Sequence, residues 1–188
     1  PACGSGHIMI YVFEVLYQIY EKAGYLKEDI PKFIIENNIY GIEIDDRAYQ
    51  LSCLSMIMKA LEYNNRFLKD IKEKRIEINI VSIQETNNIT NEDIVYIAGE
   101  ETGEIFNQTQ KFLNQFKNAK LYGSLIEIND YNESFLKERY KEIMNQSGKN
   151  LFQEERRKKI IDILTNLISQ SDIMSQKYDI LITNPPYM

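Results

Sequence analysis

"IYGIEIDD", residues 39–46, is the stretch on which the fold turns. Ile39 to Ile44 is a short β-branched run, the composition of a parallel strand buried on both faces. Asp45 or Asp46 then offers a side-chain acceptor for the first N–H groups of a helix, "DRAYQLSCLSMIMKALEY" (46–63). In that segment Ala48, Leu51, Leu54, Ser55, Met58 and Leu61 recur at helical spacing. A strand running into a capped helix is half of a β-α-β unit, and the neighbouring segments extend it. "HIMIYVFEVLYQIYEKAG" (7–24) is apolar on nearly every face for three turns and closes at Gly24, so it reads as a helix packed deeply on a sheet. "EDIPKFIIENN" (28–38) reads as a short helix, with Asp29 as cap and Pro31 in the first turn. Two further runs, "IEINIVSI" (76–83) and "YDILIT" (178–183), read as strands. Strands separated by helices predict an α/β fold with a parallel sheet.

Between the second and third of these strands the pattern is interrupted. A crossover needs about a dozen residues or a little more, whereas the stretch from Thr86 to Lys177 is several times that. It begins with a polar loop, "ETNNITNED" (85–93), and continues with helices expected around 108–116, 132–144 and 151–169. The organisation expected is a first part over 1–85, a helical insertion over 86–177, and a last strand with its loop over 178–188. "EERRKK" (154–159), the densest charge run, reads first as a solvated helix face laced with ion pairs and second as a nucleic-acid contact.

Composition narrows the classes. The 188 residues suffice for one good core, and 44% hydrophobic with 27% charged residues is the balance of a soluble globular protein. Cys3 and Cys53 have no metal-type spacing, which fits a reducing cytoplasm and predicts no metal site. No run approaches the roughly 20 apolar residues that span a bilayer, so no membrane partner is expected. A net charge of −6 argues against this segment gripping nucleic acid unaided.

Three motifs carry chemistry. "PACGSGH" (1–7) places Gly4 and Gly6 at the head of the apolar helix, a tight turn where a ligand can approach bare backbone. It lacks the spacing and the Lys of a phosphate-cradling loop. His7, the single histidine, reads first as a packing or capping residue. In "GIEIDD", Glu43 lies near the carboxyl end of its strand, where an acid can accept both hydroxyls of a ribose. Ile44 beside it can lie flat on an adenine ring. The bland alternative is that Glu43 and Asp45 only end the strand and cap the helix, and Asp45 is assigned to that role. In "NPPY", the two prolines make a rigid, extended kink after a strand. There the Asn184 side-chain carbonyl and the Pro185 backbone carbonyl can accept the two hydrogens of an amino group, with Pro186 holding the loop and Tyr187 stacking on a base.

"PACGSG", "GIEID" and "NPPY", in that order, resemble motifs I, II and IV of the amino-methyltransferases that use S-adenosylmethionine. The resemblance is to the DNA adenine-N6 group, and within it "PACGSGHI", "YGIEID", "RAYQLSCLSMIMKA" and "NPPYM" resemble the large restriction-modification and phage-defence (BREX-type) enzymes. It implies a partial doubly wound, Rossmann-like methyltransferase domain lacking its first strand. It further implies that Ala2, Cys3, Gly4 and Gly6 line the methionine part of the cofactor, that Glu43 binds the ribose and Ile44 packs on the adenine. Motif III would fall on "SIQET" (82–86), with Gln84 or Glu85 at the adenine amino group. Asn184, Pro185, Pro186 and Tyr187 would hold a flipped-out adenine, whose unstacking costs on the order of a few kcal/mol.

The family's usual acid before the Pro and the strand before it have no counterpart here, so the chain is expected to be part of a larger bacterial cytoplasmic enzyme that meets double-stranded DNA through its full length. Alone it is expected to be inactive, to bind cofactor poorly, and to cover its open strand edges with the insertion or by self-association. Protein-glutamine and RNA amino-methyltransferases also carry Asn-Pro-Pro-Tyr, but their cofactor turn is usually "GTGSG"-like and their connection short. A non-catalytic interaction module is the reading from another class.

Overall fold

The computed structural model describes residues 2–73, 75–129, 132–147 and 150–183. They divide into two units, one of the described residues up to Ser82 with those from Tyr178 on, the other Ile83–Lys177.

In the first unit the order is α1 (His7–Lys22), α2 (Ile30–Asn37), β1 (Gly41–Glu43), α3 (Asp46–Leu61), α4 (Phe67–Lys72) and β2 (Ile80–Ser82). The strands pair in parallel, Gly41 opposite Ile80, Ile42 opposite Val81 and Glu43 opposite Ser82. The parallel α/β expectation is met on a small scale, and both strands are shorter than the apolar runs that contain them. Met9, Phe13 and Tyr17 of α1 join Ile30, Ile34 and Ile35 of α2, Met56 and Ala60 of α3, and Phe67, Ile76 and Ile80 in one core. Helix α1 lies hard on β1: a Cβ on Gly41 would come within 2.8 Å of Met9 Cε and 3.1 Å of Ile80 Cγ2.

Three expectations need correcting. Helix α1 buries one stripe only, since Tyr11, Val15 and Ile19 on its other side are exposed; the sheet among the described residues has two strands and covers one side of a helix. Helix α3 forms as its periodicity demands but turns a different face inward. Ser52, Met56, Lys59 and Ala60 are buried, while Leu51, Leu54 and Met58 are exposed. Residues 178–183 form no strand, and Ile180, Leu181 and Ile182 are exposed. An apolar run becomes a strand only where partners are presented to it.

A partly buried ion pair joins α1 to α3. Lys59 Nζ meets Glu14 Oε1 and Glu62 Oε2 at 2.7 Å each and lies 5.5 Å from the centre of the Tyr63 ring. The carboxylates hold the ammonium above the ordinary lysine range, which lets a cation sit between α1 and α3.

The second unit is helical: α5 (Asn91–Ala98), α6 (Glu104–Asn114), α7 (Ala119–Tyr122), α8 (Glu133–Asn145) and α9 (Leu151–Ser175). The three helices expected there are α6, α8 and α9. Helix α5 starts inside what reads as a polar loop. "EERRKK" proves to be ion-paired: Arg157 with Glu154, Arg156 with Glu92 and Asp93, and Lys159 with Asp93.

Candidate functional site

The glycine turn and the acid of "GIEIDD" are brought together. Three positive φ values, 56° at Ala2, 57° at Gly4 and 90° at Gly6, coil the chain ahead of α1. The Gly6 N–H closes the turn onto the Cys3 carbonyl at 3.1 Å, and the Cys3 N–H donates to the Ile42 carbonyl of β1 at 3.3 Å. Position 6 requires glycine twice over: its φ is left-handed, and a Cβ there would lie 3.1 Å from the Ser52 Cα.

Glu43 ends β1 and is buried, 9% exposed. Its Oε2 accepts from the Gly4 N–H at 2.7 Å, and its Oε1 accepts from the N–H groups of Ile44 at 2.9 Å and Asp45 at 3.2 Å. A carboxylate offers about four lone-pair sites, and these three N–H groups leave room for a hydroxyl. Ile44 follows and is 42% exposed. Asp45 does what the bland reading gave it: its Oδ1 accepts from the N–H groups of Arg47 and Ala48 and caps α3. These bonds hold its carboxyl below the usual range. Asp46 accepts from the Ser82 hydroxyl, tying the head of α3 to the end of β2.

The remaining nominated residues divide by place. The Cys3 thiol is half-buried, 3.6 Å from Ser52 Oγ, and burial raises its pKa, with Ser52 only partly opposing. It therefore stays protonated near neutral pH and is no thiolate nucleophile. Cys53 is raised by burial in the same way. His7 is exposed at the start of α1. Gln84 and Glu85 belong to the second unit. There the Gln84 N–H donates to Gln170 Oε1 at 3.0 Å, and Glu85 accepts from Asn87 Nδ2 at 3.1 Å and the Lys120 N–H at 3.0 Å. Asn184, Pro185, Pro186 and Tyr187 lie outside the described residues.

Two residues that the motifs do not mark touch the turn. Ser52 Oγ donates to the Gly4 carbonyl at 2.6 Å and Ser55 Oγ to the Ser5 carbonyl at 3.1 Å. The signal was the run of small side chains on one face of an otherwise apolar helix.

In the second unit a cleft of about 490 Å³ opens at the amino end of α5, lined by Thr90, Asn91, Glu92, Asp93, Arg156 and Lys159. Its cations are paired with its acids, and no residue nominated from the motifs lines it. Among the described residues no cluster of His, Cys, Asp and Glu could hold a metal ion, and no helix is long and apolar enough to cross a membrane.

Comparison with known proteins gives the site its context. Residues 37–188 match the Eco57I restriction-modification methylase family. The adenine-specific methyltransferase BrxX of Escherichia coli O9:H4 (strain HS) is 35% identical over the whole chain, and the adenine-specific methyltransferase PglX of Lacticaseibacillus casei (strain Zhang) is 31% identical over the whole chain. The chain spans 17% and 15% of the length of these two proteins. A putative type II restriction enzyme and methyltransferase of Methanocaldococcus jannaschii is 37% identical over 33% of the chain and 6% of its own length.

Proposed function

This chain belongs to the Eco57I restriction-modification methylase family, and on that premise we propose that it supplies the cofactor turn and target-base loop of a DNA adenine-N6 methyltransferase of restriction-modification or phage-defence type. The observation that carries the reading is the 2.7 Å bond from the Gly4 N–H to Glu43 Oε2, which joins the two cofactor motifs across 39 residues of sequence.

The donor set suits S-adenosylmethionine, which when bound supplies an electrophilic sulfonium methyl group. Glu43 keeps acceptor capacity for one ribose hydroxyl, and exposed Ile44 offers an apolar surface for the adenine. The backbone of Ala2, Cys3 and Gly4 is open to a close approach, since a Cβ on Gly4 would meet nothing within 4 Å, while Gly6, buried against Ser52, shapes the turn from behind. Asn184 and Pro185 would accept the N6 hydrogens of a flipped-out adenine, with Tyr187 stacked on it. Bringing the two reactants together in line is most of the catalysis asked of the protein.

The test is transfer of labelled methyl from S-adenosylmethionine to adenine-containing duplex by the protein that carries this chain. Asn184→Ala is expected to lower kcat by about a hundredfold or more, since it removes an oriented acceptor from the attacking nitrogen. Label arriving on RNA or on a glutamine side chain instead would shift the assignment within the amino-methyltransferases, and no transfer to any of them would support an interaction module. The setting proposed is the bacterial cytoplasm.

We also propose that the isolated 188-residue chain self-associates through exposed apolar residues of the first unit: Tyr11, Val15 and Ile19 on α1, and Leu51, Leu54 and Met58 on α3. Light scattering is expected to show species larger than one chain, and Leu54→Glu with Met58→Glu to reduce them. A single-chain mass for the wild type would end this proposal.

A further inference from the structure

The Gly4 carbonyl points at α3, where Ser52 Oγ donates to it at 2.6 Å, and the Ser5 carbonyl points there too, where Ser55 Oγ donates at 3.1 Å. The two serines are three residues apart on one helical face. Ser52 is fully buried and Ser55 half-buried. In a trans peptide the N–H and C=O of one unit point in opposite directions. Pinning the Gly4 carbonyl to α3 therefore turns the Ser5 N–H away from α3. Pinning the Ser5 carbonyl fixes the next peptide, whose N–H is spent inside the turn on Cys3. On the other side Glu43 holds the Gly4 N–H. The turn is thus held from both sides, and the Ser5 N–H, on the side of its peptide away from α3, makes no bond among the described residues.

From this geometry we infer that Ser52 and Ser55 are positioning residues for the cofactor turn, aiming the Ser5 N–H at the amino-acid end of a bound S-adenosylmethionine. This rests on the reading of the turn as a cofactor site and adds which part of the ligand the serines serve. The face that α3 turns inward follows from the same requirement. Gly6 approaches so closely that a Cβ on it would meet the Ser52 Cα at 3.1 Å, and a leucine at 52 would have no room.

The nucleoside end and the amino-acid end of the ligand can be read separately. In the protein that carries this chain, dissociation constants are measured for S-adenosylmethionine and, by competition, for adenosine, together with KM for cofactor and for DNA. Ser52→Ala and Ser55→Ala are each expected to weaken S-adenosylmethionine by about five- to tenfold, the size of one lost hydrogen bond. Adenosine affinity and KM for DNA are expected to stay at wild-type values. Ser55→Thr, which keeps a hydroxyl, is expected to retain cofactor affinity. If Ser52→Ala does not fold, Ser55→Ala decides, because its site is less buried. Equal weakening of both ligands means the hydroxyls only hold the fold, and unchanged cofactor binding means they hold nothing that matters; either overturns the inference while leaving the cofactor site intact. A wild-type protein that binds neither ligand overturns that site, and the inference with it.

Discussion

Glu43→Gln is expected to lower the stability of the first unit by about 2–3 kcal/mol and to weaken S-adenosylmethionine by about a hundredfold. The reason lies in the count of acceptors. Glu43 uses one oxygen for the Gly4 N–H and the other for those of Ile44 and Asp45. Glutamine has one acceptor oxygen and an amide that can only donate. Whichever way it flips, an N–H of the turn or of the strand end faces another N–H, in a place 9% exposed. Bonds to an ionised acceptor are about twice as strong as neutral ones, and a ribose hydroxyl would lose that acceptor as well. Thermal melting and calorimetric titration of the variant check the two losses separately. A variant that melts like the wild type while binding poorly would mean Glu43 serves the ligand alone; wild-type binding would remove Glu43 from the site.

The double duty of Glu43 also shows what a sequence can and cannot disclose. Its place was readable because strand, acid and helix cap follow one another locally: Ile39 to Ile44, then Asp45, which caps α3 through Arg47 and Ala48. Its bond to Gly4 was not, because it spans 39 residues. Helix α3 marks the same boundary. Periodicity is a property of the segment and predicted the helix, but the inward face is chosen by what must fit against it. A glycine turn admits Ser52 and Ser55 where it would exclude Leu51 or Leu54. The run 178–183 has the composition of a strand and pairs with none among the described residues, since a ladder is made by neighbours. Helix α5 was hidden differently. Its start signal, Thr90 followed by Asp93, lies within a stretch of Asn, Thr and Glu that reads as loop, and only Ile94, Ile97 and Ala98 are left to show an apolar face.

That signal predicts the largest effect in the second unit. Asp93→Ala is expected to destabilise it by about 3 kcal/mol, combining the carboxylate half of the capping box, about 1 kcal/mol, with the loss of a mostly buried charge from its partners. The Thr90 half, made to the backbone N–H of residue 93, remains. Asp93 is 2% exposed. Its N–H donates to Thr90 Oγ1 at 3.2 Å while its Oδ2 accepts from the Thr90 N–H at 3.1 Å, the reciprocal pair that starts α5. The same Oδ2 meets Lys159 Nζ at 2.6 Å, and Oδ1 lies 3.6 Å from Arg156 Nε, so one carboxylate ties α5 to α9. Burial by itself would raise its pKa, but the bonds from Lys159 and Thr90 outweigh it and hold the carboxyl below its ordinary 3.8. A depressed native pKa contributes stability that is complete above the unfolded value and is lost as pH falls through the native one. The gap in melting temperature between wild type and Asp93→Ala should therefore be widest near neutral pH and should narrow below pH 3.8. Asp93→Asn, which keeps an acceptor for the Thr90 N–H but carries no charge, should fall between the two at neutral pH. A gap that stays constant into acid would mean that the cap alone, and not the ion pair to α9, is what Asp93 contributes.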